Sequence, residues 1–155
     1  MKDFAILAPV PLAHLESGED IARDKGFVAF GSQKFELFRE IEQRRGEAPV
    51  PVLIYPSHED DPAKVSFQVS WIGWYDGSEE TQNGRHSLGR AHRPPSTIDD
   101  GQWAVYWHVR QLTQLAPKDR FPISKLQTIK GGWRKNAPPR GPELVAVPHF
   151  VVFPE

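Results

Sequence analysis

No cysteine occurs anywhere in the 155 residues. That excludes a disulfide framework, a thiolate metal site and a zinc deaminase of the His/Cys/Cys type. There is a single methionine. No run approaches the ~20 apolar residues that a membrane span needs. The first apolar stretch, Phe4 to Pro11, is short, holds Pro9 and Pro11, and is followed by no cleavage-like pattern. It reads as a first strand rather than a signal peptide, so the expectation is a cytoplasmic protein with no membrane partner. No phosphate-loop pattern GxxxxGK[ST], strand-borne GxGxxG, GxSxG or HExxH is present. The six histidines are scattered. His86 and His92 stand six apart in a polar stretch, a poor spacing for a shared metal, so no metal or cofactor is expected. Acids are scarce in one region: residues 81–140 hold eleven Lys or Arg against Asp99, Asp100 and Asp119.

What is present fits one domain spanning residues 1–155. Net charge is −1, but the basic 81–140 region faces an acidic remainder, and this split predicts a surface suited to a polyanion. FAILAPV (4–10) is a continuous apolar run, as in a buried strand. Leu12 and Leu15 suggest a short helix near 11–17, which Gly18 is expected to break. GFVAFG (26–31) reads as a short strand or loop. SQKFELFREIEQRRG predicts a helix capped by Ser32, with Phe35, Phe38 and Ile41 on one face and Gly46 at its end. PVPVLIYPS (49–57) is a strand.

VSFQVSWIGWYDG (65–77) alternates, with Phe67, Val69, Trp71 and Gly73 on one side. Residues 77–101 read as a long loop, with Asp99-Asp100 and the earlier Glu59-Asp60-Asp61 as turn acids. WAVYWHVRQLTQL (103–115) is another strand. A helical turn is expected near 124–128, then strands at 143–147 and 149–153. The expected fold is α+β: a mixed, strongly curved sheet of about six strands forming a pseudo-barrel, with two or three short helices.

Aromatic residues interleaved with cations point to stacking on bases and contact with phosphates. Trp71 and Trp107 read as core. Trp74, followed by Tyr75 and Asp76 at a strand end, reads as a pocket wall, with Asp76 able to accept from a base edge. IKGGWRKNAPPRG (129–141) is a glycine-rich, cationic loop tipped by Trp133. Its Lys130, Arg134, Lys135 and Arg140 are phosphate-binding candidates, as are Arg85, Arg90 and Arg93.

The order of FAILAPVP, helical crossover, PVPVLIYPS, VSFQVSWIGWYDG, WAVYWHVRQL and PISKLQTIKGG resembles the PUA-like superfamily, and within it the EVE and ASCH domains. GSQKFE (31–36) loosely echoes the ASCH GxKxxE pattern. The resemblance implies a small pseudo-barrel that binds RNA or DNA and reads a modified, for example methylated, base in an aromatic pocket. It places Phe30, Ser32, Tyr55, Trp74, Tyr75 and Trp133 near that pocket, and it leaves open whether the domain acts alone or beside a separate effector protein. An alternative from the same resemblance is a small amidohydrolase of modified nucleosides using Lys34, Glu36 and Thr128. A further alternative is a protein-interaction domain whose PVPV, PPS and APPRGP segments meet a partner.

Overall fold

The computed structural model describes residues 3–57, 67–97, 102–135 and 141–155. It is α+β. A mixed six-stranded sheet has the order β2-β6-β5-β3-β1-β8, and a second ribbon pairs β4 with β7. The strands are β1 (Phe4–Val10), β2 (Val28–Ser32), β3 (Val50–Pro56), β4 (Gln68–Val69), β5 (Trp71–Glu80), β6 (Val105–Gln114), β7 (Phe121–Pro122) and β8 (Glu143–Ala146); the helices are α1 (Leu12–Lys25) and α2 (Phe35–Arg45). β1 and β3 run parallel, and the remaining pairs in the main sheet are antiparallel. The sheet is not closed into a barrel: β2 and β8 are its two edges.

Two cores explain why β1 is apolar throughout. Phe4, Ile6, Ala8 and Val10 face one core, and Ala5 and Leu7 face the other. A strand buried on both faces loses the alternation of a half-exposed one. The first core is filled by Trp71, Tyr75 and Trp107 under the helices, with Phe38 and Ile41 from α2 and Leu15 and Ala22 from α1. The second holds Leu53, Tyr55, Ile72, Phe121, Ile123 and Leu126, against which the C-terminal Val151 and Phe153 pack.

Several expectations are met. Phe38 and Ile41 are the buried residues of α2, Gly46 follows its last residue with φ 60°, and Trp71 and Trp107 are each 1% exposed. Others are corrected. Gly18 does not break α1; the helix continues to Lys25 with Gly18 buried. A β-carbon there would lie 3.2 Å from Val28 Cγ2, so the glycine lets α1 lie close on β2. Ser32 does not cap α2 directly; its hydroxyl accepts from the Lys34 N–H at 3.1 Å, just before the helix. The alternation over 65–77 breaks at Ser70, so Val69 enters the second core and Trp71 the first. β5 runs on to Glu80, a short 3-10 turn forms at Ile123–Lys125, and 149–153 forms no strand.

The stretch 81–97 packs along the outer edge of β2. Ala29 N–H donates to the His92 carbonyl at 2.8 Å, Arg93 Nη1 donates to the Ala29 carbonyl at 2.8 Å, and His92 Nδ1 lies 3.0 Å from the Phe27 carbonyl. At the other edge, Ala146 N–H donates to the Gln127 carbonyl at 2.9 Å. Among the described residues, no helix is long and apolar enough to cross a membrane.

Candidate functional site

One cavity, enclosing about 380 Å³, is walled by aromatic side chains. It opens where the C-terminal ends of β1 and β2 meet the start of β6 and the approach to β8. Pro9, Val10 and Pro11 form one side, Phe30 through Lys34 a second, Trp103 and Trp107 a third, and Gly141 and Pro142 close it; His14 and Arg93 complete the lining. This size and its apolar character with a few polar groups match small-molecule sites, which span roughly 300–1,000 Å³.

The aromatic wall has a traceable cause. Phe30 and Trp107 are opposite one another on β2 and β6, and their rings lie 5.3 Å apart. Trp103 precedes β6 and lies across Gly31, where any β-carbon would fall 2.3 Å from its Cδ1. Gln33 fixes that arrangement. Its Nε2 donates to the Gln102 carbonyl at 2.8 Å, and its Oε1 accepts from Ala104 N–H at 3.0 Å, bracketing Trp103. Thr81 Oγ1 donates to the Trp103 carbonyl at 2.5 Å.

The polar side comes from three segments. Ser32 is 6% exposed and Arg93 7%. Arg93 is held on the Ala29 carbonyl, with its guanidinium carbon 5.0 Å above the Tyr106 ring. The Lys34 stem runs along Gly141, where a β-carbon would meet its Cε at 3.0 Å. His14 Nδ1 lies 2.7 Å from Ser96 Oγ, which is 2.8 Å from Ser17 Oγ and tethers the 81–97 stretch to α1.

Behind Arg93 lies a histidine pair. His86 Nδ1 accepts from Leu88 N–H at 3.0 Å, so its Nε2–H points at His108 Nε2, 3.0 Å away. Phe27 stacks on His92 at 3.9 Å and lies 4.3 Å from the His108 ring. Burial pushes the His108 pKa down to about 4, with His86 adding to the shift and Glu79 opposing it. Burial also lowers His86, partly offset by Glu79. Among the described residues, no cluster of three His, Cys, Asp or Glu could hold a metal ion.

The structure brings together only some of the residues singled out from sequence. Phe30, Ser32 and Arg93 line the cavity. Tyr55 lies fully buried in the second core, on the other face of the sheet. Tyr75 is in the first core, with its hydroxyl 2.7 Å from Glu42 Oε2. Trp74 donates from Nε1 to the Pro154 carbonyl at 2.6 Å and packs on Phe153. Asp76 pairs with Arg110 at 2.8 Å; burial raises its pKa and Arg110 offsets part of the rise.

Trp133 is 67% exposed and bridges Gln127 across a hairpin in which Thr128 pairs with Val145, and it does not line the cavity. Lys130 and Lys135 are exposed on that hairpin, while Arg134 pairs with Glu143 at 2.7 Å. Arg85 and Arg90 are exposed on the 81–97 stretch, with Arg90 Nη2 donating to the Thr97 carbonyl. Arg140, the acidic triplet 59–61 and the pair 99–100 lie outside the described residues. The cavity includes Lys34 but neither Glu36 nor Thr128. Trp103, Gln33 and His14 are cavity residues that sequence reading did not select.

Against this geometry, comparison with protein-family models, with curated protein sequences and with solved structures finds no match to the chain.

Proposed function

We propose that this chain is a nucleic-acid-binding module of PUA-like kind, related to EVE and ASCH domains, that holds a flipped or single-stranded base in the Phe30–Trp103–Trp107 cavity. The observation that carries the reading is that cavity: three aromatic side chains beside Ser32, Lys34 and Arg93, in a space suited to one flat heterocycle. Aromatic faces stack on any base, and cations at the rim hold the flanking phosphates. The basic 81–140 region supports the same reading, because its exposed Arg85, Arg90, Lys130 and Lys135 give a backbone surfaces to follow. The curvature needed for a pseudo-barrel belongs to this proposal too, with the β4–β7 ribbon lying beside the main sheet.

The test is binding of labelled single- and double-stranded oligonucleotides, with and without modified bases, at two salt concentrations. Affinity should fall steeply with salt. Trp103→Ala should cost about 1–3 kcal/mol, the worth of one stacked base. Absence of binding at low salt, or wild-type affinity in Trp103→Ala, would defeat the reading.

A further inference from the structure

We infer that the cavity selects a flat ring bearing an anionic group, either a carboxylate side arm on a base or the phosphate of a mononucleotide, over uncharged or methylated rings. The inference rests on the base-binding reading above and narrows its ligand.

Of the polar side chains in the described lining, Ser32, Lys34 and Arg93 are donors, while His14, held on Ser96 Oγ, donates or accepts according to its tautomer. Gln33 spends both ends of its amide on Gln102 and Ala104, so it offers the ligand neither donor nor acceptor. Ser32 uses its oxygen to accept from the Lys34 N–H, and among the described residues its own O–H hydrogen meets no acceptor. Ser32 as a residue is only 6% exposed and lines the cavity, where an unmet donor is costly unless a ligand oxygen completes it.

Lys34 presents only donors, and so does Arg93. No carboxylate appears among the described lining residues. A wall of donors and cations favours oxygens carrying negative charge. It disfavours a ring that methylation has made cationic, even though aromatic faces alone would welcome one. The partly desolvated setting strengthens this preference relative to open water.

Gly141 sharpens the role of Lys34. With no β-carbon at 141, the lysine stem passes close along that residue at the cavity rim, and its ammonium, on a residue exposed overall, meets the ligand at the mouth.

The test is a titration followed by intrinsic tryptophan fluorescence, since Trp103 and Trp107 form the wall. The probes are 5-carboxymethyluridine against its uncharged isostere 5-carbamoylmethyluridine, and uridine and adenosine 5′-monophosphates against uridine and adenosine. At least one anionic probe should bind tenfold or more tighter than its uncharged counterpart. Lys34→Gln should remove most of that advantage, bringing the anionic and uncharged affinities together, and Lys34→Arg should restore it.

Preference for the carboxymethyl compound identifies a modified base as the source of the charge; preference for the monophosphates identifies a nucleotide. Equal or tighter binding of the uncharged probes overturns the anionic inference and leaves base binding standing. A preference undiminished in Lys34→Gln overturns the assignment to this wall. No binding of any probe overturns both the inference and the base-binding reading.

Discussion

Gly31 and Trp103 occupy what would otherwise be the same space: a β-carbon on Gly31 would fall 2.3 to 2.6 Å from three atoms of the indole. Gly31→Ala should therefore push Trp103 off the cavity wall. We expect ligand affinity to drop tenfold or more and stability to fall by about 1–3 kcal/mol, the usual cost of overpacking. Gly132→Ala, where the nearest atom to a β-carbon is 3.8 Å away, serves as the control and should leave cavity binding at the wild-type level. Thermal melts and the fluorescence titration report the two effects separately.

The His86–His108 pair should make stability pH-dependent in one direction. Both groups have pKa values lowered in the fold by burial, His108 to about 4 from an ordinary value near 6.5. Below 6.5 the unfolded chain therefore binds more protons than the folded one. The pair's full stability is present above pH 6.5 and is lost as pH falls towards 4. Solvent reaches part of the pair, so a loss of about 1–2 kcal/mol is expected. Urea midpoints at pH 7.5, 5.5 and 4.5 check this, and His108→Gln should flatten the slope over that window. A profile as steep in the variant as in the wild type would place the titrating groups elsewhere.

Trp133 is large, 67% exposed and absent from the cavity lining. Trp133→Ala should leave thermal stability within about 0.5 kcal/mol. If the hairpin meets the flanking strand of an oligonucleotide, the same variant should weaken oligonucleotide binding by about 1–3 kcal/mol while nucleoside binding stays constant. Comparing the two ligands on one variant separates the hairpin's contribution from the cavity's.

Arg134 and Glu143 pair at 2.7 Å, with side chains 13% and 31% exposed, and so hold the 127–134 hairpin to β8. Glu143→Gln removes the carboxylate that pairs with the mostly buried Arg134 guanidinium, so a loss of about 1–3 kcal/mol is expected. Denaturant melts check it, and the double variant Arg134→Met with Glu143→Gln should recover part of the loss.

Local pattern carried much of the fold. The apolar spacing in 35–41 marks α2 because a helix repeats every 3.6 residues, and Gly46 follows it with the positive φ that glycine tolerates. FAILAPV reads as buried because both its faces are buried. Gly18 misled because a helix breaker and a close-packing glycine look identical until the partner, Val28, is known. Ser70 misled because nothing local marks the change of core between Val69 and Trp71.

The site was legible in part. Phe30 and Ser32 enter through the family resemblance, with Ser32 read from its own surroundings as a helix cap. Lys34 entered only as a catalytic alternative. Gln33 read as helix start and Trp103 as ordinary strand, and their joint role depends on a contact 69 residues apart in sequence. The cavity draws on segments around residues 10, 31, 93, 105 and 141, and no periodicity along the chain reports that meeting.

His92 and Arg93 occupy the outward-facing backbone groups of Ala29 on the outermost strand and the carbonyl of Phe27 just before it. An unoccupied strand edge is a template on which further chains can add. The stretch 81–97 therefore covers part of that edge as well as supplying a cavity residue. A version with this excursion cut to a tight turn would lose both at once, and its first symptom would be aggregation rather than weak binding.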